Sequence, residues 1–159
     1  KTPLGISKEK LISEKPVLAT ILRAGLPFHQ GFLNYYDDSD NIFISAYRKH
    51  KRGGGFEVKL EYMSFPTIQD KTIILCDPML ASGTSMVLAL EAILSKGSPK
   101  HIHIVSIIAS KEGVDYVKDN APSSECTLWI GAEDKKMTSQ SYIFPGLGDA
   151  SNLVFGIKK

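Results

Sequence analysis

The amino-acid sequence predicts an α/β fold, in which a doubly wound, mainly parallel sheet is flanked by helices. Short continuous apolar runs recur along the chain, and segments with helix-starting and helix-ending residues separate them. Continuous apolar runs are typical of parallel strands that are covered on both faces. Strands that alternate with helices at this spacing indicate a doubly wound sheet.

Five apolar runs are predicted to form strands, and three of the segments between them are predicted to form helices. Ser85 is expected to cap the second helix and Gly97 to end it, because serine favours helix N-termini and glycine favours the position past the C-terminus. Ligands of such sheets bind at the carboxyl ends of strands. The predicted strands are 16–22, 41–47, 72–76, 102–109 and 126–130, and the predicted helices are 27–36, 86–96 and 111–118.

One segment departs from this pattern and predicts a β-hairpin arm over residues 48–64. Residues 56–62 alternate apolar and polar side chains, and three glycines at 53–55 precede them, so the glycines are expected near the tip. Ordering three adjacent glycines costs much backbone entropy, and we expect the arm to be mobile without a ligand. The length fits one domain over residues 1–159 that contains the arm.

Composition and charge argue against several classes of protein. The chain of 159 residues has 19 basic and 17 acidic side chains, a balance that does not indicate a broad nucleic-acid surface. Its 43% hydrophobic residues suffice for a core without disulfides, and Cys76 and Cys126 are expected to be buried, reduced thiols of a cytoplasmic protein. No apolar run of about 18 residues predicts a membrane span, and no signal-peptide pattern occurs.

A strand, an acid and a hydroxyl-rich loop stand in succession before the second predicted helix. Small residues let backbone N–H groups close around a phosphate, hydroxyls can donate to it, and the helix adds the positive end of its dipole. Asp77, at the strand end, can accept hydrogen bonds from ribose hydroxyls. The loop has neither G-x-x-x-x-G-K-[ST] nor G-x-G-x-x-G, which argues against an ATPase and a dinucleotide dehydrogenase. An ordinary strand-to-helix turn is the alternative.

Two further segments combine glycine with residues suited to ligand binding. Residues 141–150 contain two glycines, which let the backbone approach a flat ring closely, and a proline that stiffens the approach. Residues 19–27 contain a predicted strand that ends at Arg23, and arginine suits a bidentate grip on a diphosphate. The alternative for residues 141–150 is a surface turn. The alternative for Arg23 is a buried arginine paired with a carboxylate.

Together these segments resemble the uracil phosphoribosyltransferase family. Residues 77–85 are similar to its phosphoribosyl pyrophosphate loop, residues 141–150 to its uracil-binding segment, residues 19–27 to its pyrophosphate loop, and Tyr47-Arg48 to a pair that opens its mobile arm. The matches follow the family's order and cover nearly the whole chain. The resemblance implies a type I phosphoribosyltransferase fold and a pentosyltransferase that converts uracil and phosphoribosyl pyrophosphate to UMP and diphosphate.

The resemblance also implies which residues bind and react. Arg23 and Asp149 are the implied catalytic residues. The implied uracil-binding residues are Tyr142, Ile143, Gly148, Asp149 and Ala150. The implied residues for phosphoribosyl pyrophosphate are Arg23, Arg48, Asp77, Pro78, Met79, Leu80, Ala81, Ser82, Gly83, Thr84, Ser85 and Asp149.

Mg²⁺ is the implied cofactor, and we expect substrate oxygens and water to hold it. Many phosphoribosyltransferases carry two adjacent acids at the strand end, whereas here Cys76 precedes Asp77. The expected partners are the small molecules uracil and phosphoribosyl pyrophosphate, without nucleic acid or membrane. The N-terminal segment usual in the family is absent from this sequence and contributes there to the subunit interface. A homodimer or higher homo-oligomer is nevertheless expected.

Other hypotheses stay open. A regulatory RNA-binding relative would show a broad basic face, whereas the basic residues cluster locally at 48–52. A transferase for another base and an inactive, N-terminally truncated fragment are two further alternatives. Ser151-Asn152 stands where the family commonly has Gly-Asp, which weakens any role for a second carboxylate there. His101 and His103 share a strand face without a third metal ligand, so we expect a structural role for them, and core packing for Trp129.

Overall fold

The computed structural model describes residues 1–10, 12–50, 56–122 and 125–157, with the backbone alone for 47–50 and 56–61. Strands and helices alternate through most of the chain, as the sequence predicts. The strands are β1 Val17–Leu22, β2 Asn41–His50, β3 Phe56–Ser64, β4 Thr72–Cys76, β5 Met79–Leu80, β6 His101–Ser110, β7 Cys126–Asp134, β8 Lys136–Met137 and β9 Ile143–Phe144. The helices are α1 Leu26–Leu33, α2 Thr84–Leu94, α3 Lys111–Asn120 and α4 Ala150–Phe155.

The main sheet has seven strands in the order β3-β2-β1-β4-β6-β5, and β7 pairs with the side of β6 opposite to β4 and β5. All of its pairs are parallel except β2 with β3, and β8 and β9 form a separate antiparallel pair. Thr20 of β1 stands beside Cys76 of β4, and Cys76 stands beside Val105 of β6. The predicted doubly wound, mainly parallel fold is confirmed, and its central strands end close together at one edge.

The core forms where the central strands meet helix α2. Ile73 and Leu75 of β4 are fully buried, as is Leu90 of α2. β1 is buried on both faces over Val17–Ile21, which agrees with its continuous apolar run. Burial of such side chains supplies the dominant favourable free energy of folding, and it anchors the strands whose ends carry the candidate site residues.

The expectation of coverage on both faces is wrong at the β6–β7 side of the sheet. Residues 101–106 of β6 alternate between half-buried and buried, and the side chains of β7 are half-buried or exposed along its length. Trp129 is 54% exposed, so its predicted place in the core is wrong. Cys126 is half-buried, whereas Cys76 is buried as predicted, and both cysteines are free.

Helix α2 begins and ends before the predicted bounds. Gly83 is its N-cap, with a left-handed φ of 79°, and the helix starts at Thr84, so Ser85 lies inside the helix and does not cap it. Ser95 is the C-cap, before Gly97. The left-handed conformation suits glycine, and it lets the chain turn from the loop into the helix two residues earlier.

The antiparallel pairing of β2 with β3 agrees with the predicted hairpin arm. His50 pairs with Phe56, and the register shifts once between Ser45 and Ala46. Residues 51–55, with the three glycines of the predicted tip, lie outside the described residues, and the mobility of the arm stays a prediction. Within the part of the chain that the structure describes, no helix is long and apolar enough to cross a bilayer.

Truncation of a core side chain should destabilise the fold strongly. We expect Leu75→Ala to lower the free energy of unfolding by about 2–5 kcal/mol, because it removes a fully buried side chain and leaves a cavity. Leu4→Ala is the matched control, since Leu4 is fully exposed and its loss should change stability by less than about 0.5 kcal/mol. Urea unfolding measures both, and equal losses would contradict the assigned core.

Candidate active site

The predicted site segments 19–27 and 77–85 leave the sheet at the carboxyl ends of β1 and β4, and two polar residues without a predicted role end β6 and β7. Arg23 follows β1 and Asp77 follows β4, while Ser110 ends β6 and Asp134 ends β7. Ser110 and Asp134 are paired in register across β6 and β7. Parallel strands therefore collect these chemically different side chains at one edge, as is usual for ligand sites in open α/β sheets.

A concave loop between β4 and α2 forms a cradle for an anion. Among the described residues, no side chain caps the N-terminus of α2, so its first-turn N–H groups are available to a ligand. Ser82 Oγ donates to Thr84 Oγ1 at 3.3 Å, which places two hydroxyls at the rim. Of the predicted residues 77–85, Pro78 and Thr84 lie outside the wall of this cradle. The wall consists of Asp77, Met79, Leu80, Ala81, Ser82, Gly83, Ser85 and Met86.

Helix α3 holds the floor of the cradle through Ser110 and Gly113. Ser110 Oγ donates to Ala81 O at 2.6 Å and accepts from the Gly113 N–H at 2.8 Å. A Cβ on Gly113 would lie 2.0 Å from Ala81 O, so the loop can approach α3 this closely only because residue 113 is glycine. Sequence reasoning missed both residues, although Ser110 directly before a predicted helix was an N-cap signal that could have found the first.

Asp77 is the only predicted acid in the cradle wall, and it titrates near neutrality. The side chain is half-buried, and burial raises the pKa of its carboxyl to about 7. A hydrogen bond from the Met79 backbone partly opposes that rise in pKa. Burial also raises the pKa of the neighbouring Cys76 thiol, to about 12, so the thiol stays protonated. The site thus holds one carboxyl group whose charge responds to pH and to ligands.

The loop after β1 lies against the end of β4. Thr20 Oγ1 donates to Cys76 O at 3.1 Å. A Cβ on Gly25 would lie 2.0 Å from Thr20 Oγ1 and 3.3 Å from Cys76 O, so a side chain at this position would displace the loop. Arg23 is exposed beside this close contact, and its peptide bond to Leu22 is cis. The predicted alternative of a buried arginine paired with a core carboxylate is therefore wrong.

Asp134 and Asp149 shape the C-terminal segment. Asp134 Oδ2 accepts from the Gly146 N–H at 3.1 Å, and Gly146 and Gly148 have left-handed φ angles of 51° and 83°. Asp149 is the N-cap of α4, and its Oδ1 accepts from the Asn152 N–H at 2.8 Å. Asp134 had no signal in the sequence, because only folding brings the end of β7 beside residue 146.

The remaining predicted site residues lie in the C-terminal segment, except Arg48, which lies in β2. Tyr142 is partly exposed, while the Ile143 side chain is 2% exposed and packs inward. Gly148 is exposed, and Ala150 begins α4. The backbone of Arg48 lies in β2, but its side chain lies outside the described residues.

The two histidines of β6 form protein contacts on the half-covered face of the sheet. The rings of His101 and His103 are 4.6 Å apart, which confirms that they share a face. Trp129 Nε1 donates to His103 Nδ1 at 3.1 Å, and His101 Nε2 lies 2.8 Å from Thr127 Oγ1. Among the described residues, no group of three or more histidine, cysteine or acidic side chains could hold a metal.

Fold and site together define a type I phosphoribosyltransferase. A structure of a protein from Aquifex aeolicus superimposes with a TM-score of 0.83 at 29% identity, covering 98% of this chain and 73% of that one. A hypoxanthine-guanine phosphoribosyltransferase from Bacillus anthracis superimposes with a TM-score of 0.56 at 16% identity, covering 79% of this chain and 69% of that one, and this likeness shows the fold alone.

The family model described as uracil phosphoribosyltransferase matches residues 1–157. A uracil phosphoribosyltransferase from Porphyromonas gingivalis is 55% identical over 99% of this chain and 72% of its own length. One from Methanothermobacter thermautotrophicus is 34% identical over 98% of this chain and 71% of its own length. The chain belongs to the uracil phosphoribosyltransferase family, which confirms the predicted family and the predicted class of pentosyltransferase.

Loss of the Ser110 hydroxyl should loosen the cradle. Ser110→Ala leaves the Ala81 carbonyl and the Gly113 N–H without their buried partner, so we expect the free energy of unfolding to fall by about 1–3 kcal/mol. Ser98→Ala is the control at an exposed serine and should change stability by less than about 0.5 kcal/mol. A Ser110→Ala protein as stable as the wild type in urea would contradict this role.

Proposed function

We propose that this chain transfers the phosphoribosyl group of phosphoribosyl pyrophosphate to N1 of uracil, forming UMP and releasing diphosphate. The observation that carries this proposal is the chain of contacts joining the three site segments at one sheet edge. Gly25 packs against the end of β4, Ser110 links the cradle to β6, and Asp134 links β7 to the C-terminal segment. One ligand with two phosphate ends could therefore reach the cradle and the arginine loop while a base lies against the third segment.

The cradle suits the 5′-phosphate of the first substrate. Backbone N–H groups at the start of α2 and the hydroxyls of residues 82–85 would bind it, with the helix dipole adding attraction. Asp77 would accept hydrogen bonds from the ribose hydroxyls, with Met79, Leu80 and Ala81 in the wall beside it and Pro78 behind it. We assign Arg23 and Arg48 to the pyrophosphate, because guanidinium groups grip diphosphate oxygens in pairs.

The C-terminal segment suits a small, flat, neutral base. Backbone at Ile143 and at 148–150, beside Tyr142, would read the edge of uracil, and the left-handed glycines bring that backbone close. Cytosine carries an amino group where uracil has a carbonyl oxygen. A site of fixed backbone donors would leave buried polar groups unpaired against cytosine and so reject it.

The chemistry requires positioning and charge stabilisation, without a covalent nucleophile. As N1 approaches C1′, the sugar gains oxocarbenium-like positive charge and the departing diphosphate gains negative charge, which Arg23 and Arg48 would stabilise. One oxygen of Asp149 caps α4. We propose that the Asp149 carboxylate either orients uracil or accepts its N1 proton.

Mg²⁺ fits the donor set of the cradle, because a carboxylate and hydroxyls are the hard oxygen ligands that this ion prefers. Asp77 is the only carboxylate in the cradle wall, and its predecessor is the buried, protonated Cys76. We therefore propose that substrate oxygens and water would fill most of the coordination shell, and that the Asp77 carboxylate and the cradle hydroxyls would contact the ion chiefly through that water. The ion would neutralise charge on the diphosphate when bound.

We further propose that residues 1–159 act as one domain in a cytoplasmic homodimer or higher homo-oligomer. Two free cysteines suit a reducing compartment. Several large apolar side chains are exposed, and they are available to a subunit interface. They include Ile107, Trp129 and Phe144.

UMP formation from uracil tests the proposed reaction directly. With phosphoribosyl pyrophosphate and Mg²⁺, we expect product from uracil and none from cytosine, orotate or hypoxanthine. Asp149→Asn keeps a good helix cap and removes the carboxylate, so we expect kcat/KM to fall about 100-fold or more. Arg23→Ala should raise the KM for phosphoribosyl pyrophosphate. The amount of UMP formed is measured by chromatography.

Two results of this assay would contradict the proposal. Product from another base at the rate of uracil would overturn the specificity, and no product from any base would overturn the reaction. Asp119→Asn is the matched control for Asp149→Asn, because it neutralises an exposed carboxylate on α3, and it should keep wild-type kcat/KM.

The titration of Asp77 should appear in the pH profile. Its raised pKa, about 7, keeps the carboxyl protonated below neutrality and ionised above it. The ionised carboxylate accepts hydrogen bonds from the ribose hydroxyls more strongly than the protonated form does, so kcat/KM for phosphoribosyl pyrophosphate should rise with pH through about 7 and then level off. Asp77→Asn should lower kcat/KM and flatten this rise. An unchanged rise in Asp77→Asn would assign it to the substrate phosphate instead.

A further inference from the structure

An arginine and an aromatic ring from opposite ends of the chain meet beside the candidate site. The guanidinium carbon of Arg23 lies 5.6 Å from the centre of the Phe155 ring. A cation within about 6 Å of a ring centre is attracted by the negative charge on the ring face. Arg23 follows β1 and Phe155 is the last residue of α4, so this contact joins two segments that are remote in sequence.

The ring contact leaves the binding capacity of Arg23 intact. Among the residues that the structure describes, no carboxylate lies within 4.0 Å of the Arg23 guanidinium. A carboxylate would occupy N–H donors and cancel the charge, whereas a ring contacts a cation through its face. The five N–H donors of the guanidinium point outward from its edges. Arg23 thus keeps both its charge and its donors for a diphosphate.

Helix α4 makes Phe155 an extension of the C-terminal segment. The helix starts at its cap, Asp149, whose side chain accepts from the Asn152 N–H and whose carbonyl accepts from the Leu153 N–H at 3.0 Å. The Gly156 N–H donates to Asn152 O at 3.0 Å and closes the last turn. These bonds couple the position of the ring to the position of Asp149.

We propose that Phe155 is a positioning residue whose ring orients the Arg23 guanidinium for the pyrophosphate. The ring thereby couples pyrophosphate binding by Arg23 to the C-terminal segment. This inference rests on the proposed function and adds a physical connection between its two substrate sites. An exposed arginine without the ring would sample many rotamers, and ordering it on the ligand would then cost more conformational entropy. Diphosphate binding would weaken although every donor remained in place.

Phe155→Leu is the main test, because it removes the aromatic face and keeps an apolar side chain. We expect the dissociation constant for inorganic pyrophosphate with Mg²⁺, measured by titration calorimetry, to rise about three- to thirtyfold. The KM for phosphoribosyl pyrophosphate should rise in parallel, with a smaller change in the KM for uracil. Phe155→Trp restores a ring that attracts cations at least as strongly and should keep the wild-type affinity.

Two controls separate positioning from a general effect on the helix. Leu153→Ala truncates a side chain of the same helix that is 69% exposed, and it should leave pyrophosphate affinity unchanged. In an Arg23→Ala background, Phe155→Leu should cause no further loss, because the ring acts through the guanidinium. Thermal unfolding checks that each variant is folded, and Phe155→Met replaces Phe155→Leu if the latter is not.

The outcomes for the two proposals are distinct. Unchanged pyrophosphate affinity in Phe155→Leu, or an equal loss in the Arg23→Ala background, would overturn the positioning role. Wild-type UMP formation would then leave the proposed function standing. If the wild-type protein makes no UMP, the proposed function fails and the inference about Phe155 fails with it.

Discussion

The candidate site depends on the parallel pairing of β1, β4 and β6 in one register. Thr20, Cys76 and Val105 stand side by side across these strands, so Arg23 and Asp77 leave the sheet near one another, beside the middle of β6. The buried apolar side chains of β1 and β4 hold that register, since a slip of one residue would break the close packing of every side chain against its neighbours. The core thereby determines where each strand ends and so where the candidate site residues lie.

Close backbone contacts then bring the loops within reach of a common ligand. Gly25 and Gly113 lie where any side chain would meet a neighbouring carbonyl oxygen, at 2.6 Å from Ile21 O and 2.0 Å from Ala81 O. Ser110 bridges the cradle to α3, and Asp134 bridges β7 to residue 146. None of these residues needs to touch a substrate to matter, because each determines the position of a segment that does.

The buried carboxyl of Asp77 in the cradle lowers the stability of the folded protein near neutral pH. Burial raises the pKa of Asp77 to about 7, so the folded protein binds the proton more tightly than the unfolded chain, whose carboxyl has an ordinary pKa. The free energy of unfolding therefore decreases as pH rises from the unfolded pKa to about 7, where this carboxyl ionises in the folded protein. Ribose hydroxyls and a cation would stabilise the ionised form, so ligand binding offsets the cost.

The sequence alone determined the longer strands and the local loops, because both depend on neighbouring residues, whereas it did not predict the two-residue strands β5, β8 and β9. Apolar runs identified β1 and β4, and the order acid, small residues, hydroxyls predicted a cradle before α2. The tertiary structure decided what depends on elements distant in the chain. Trp129 is exposed although it lies in a strand of the main sheet, Asp134 reaches residue 146 only through the fold, and Arg23 meets Phe155 where the ends of β1 and α4 come together. Exposure and partners of a side chain follow from what packs against it, and no local pattern contains that information.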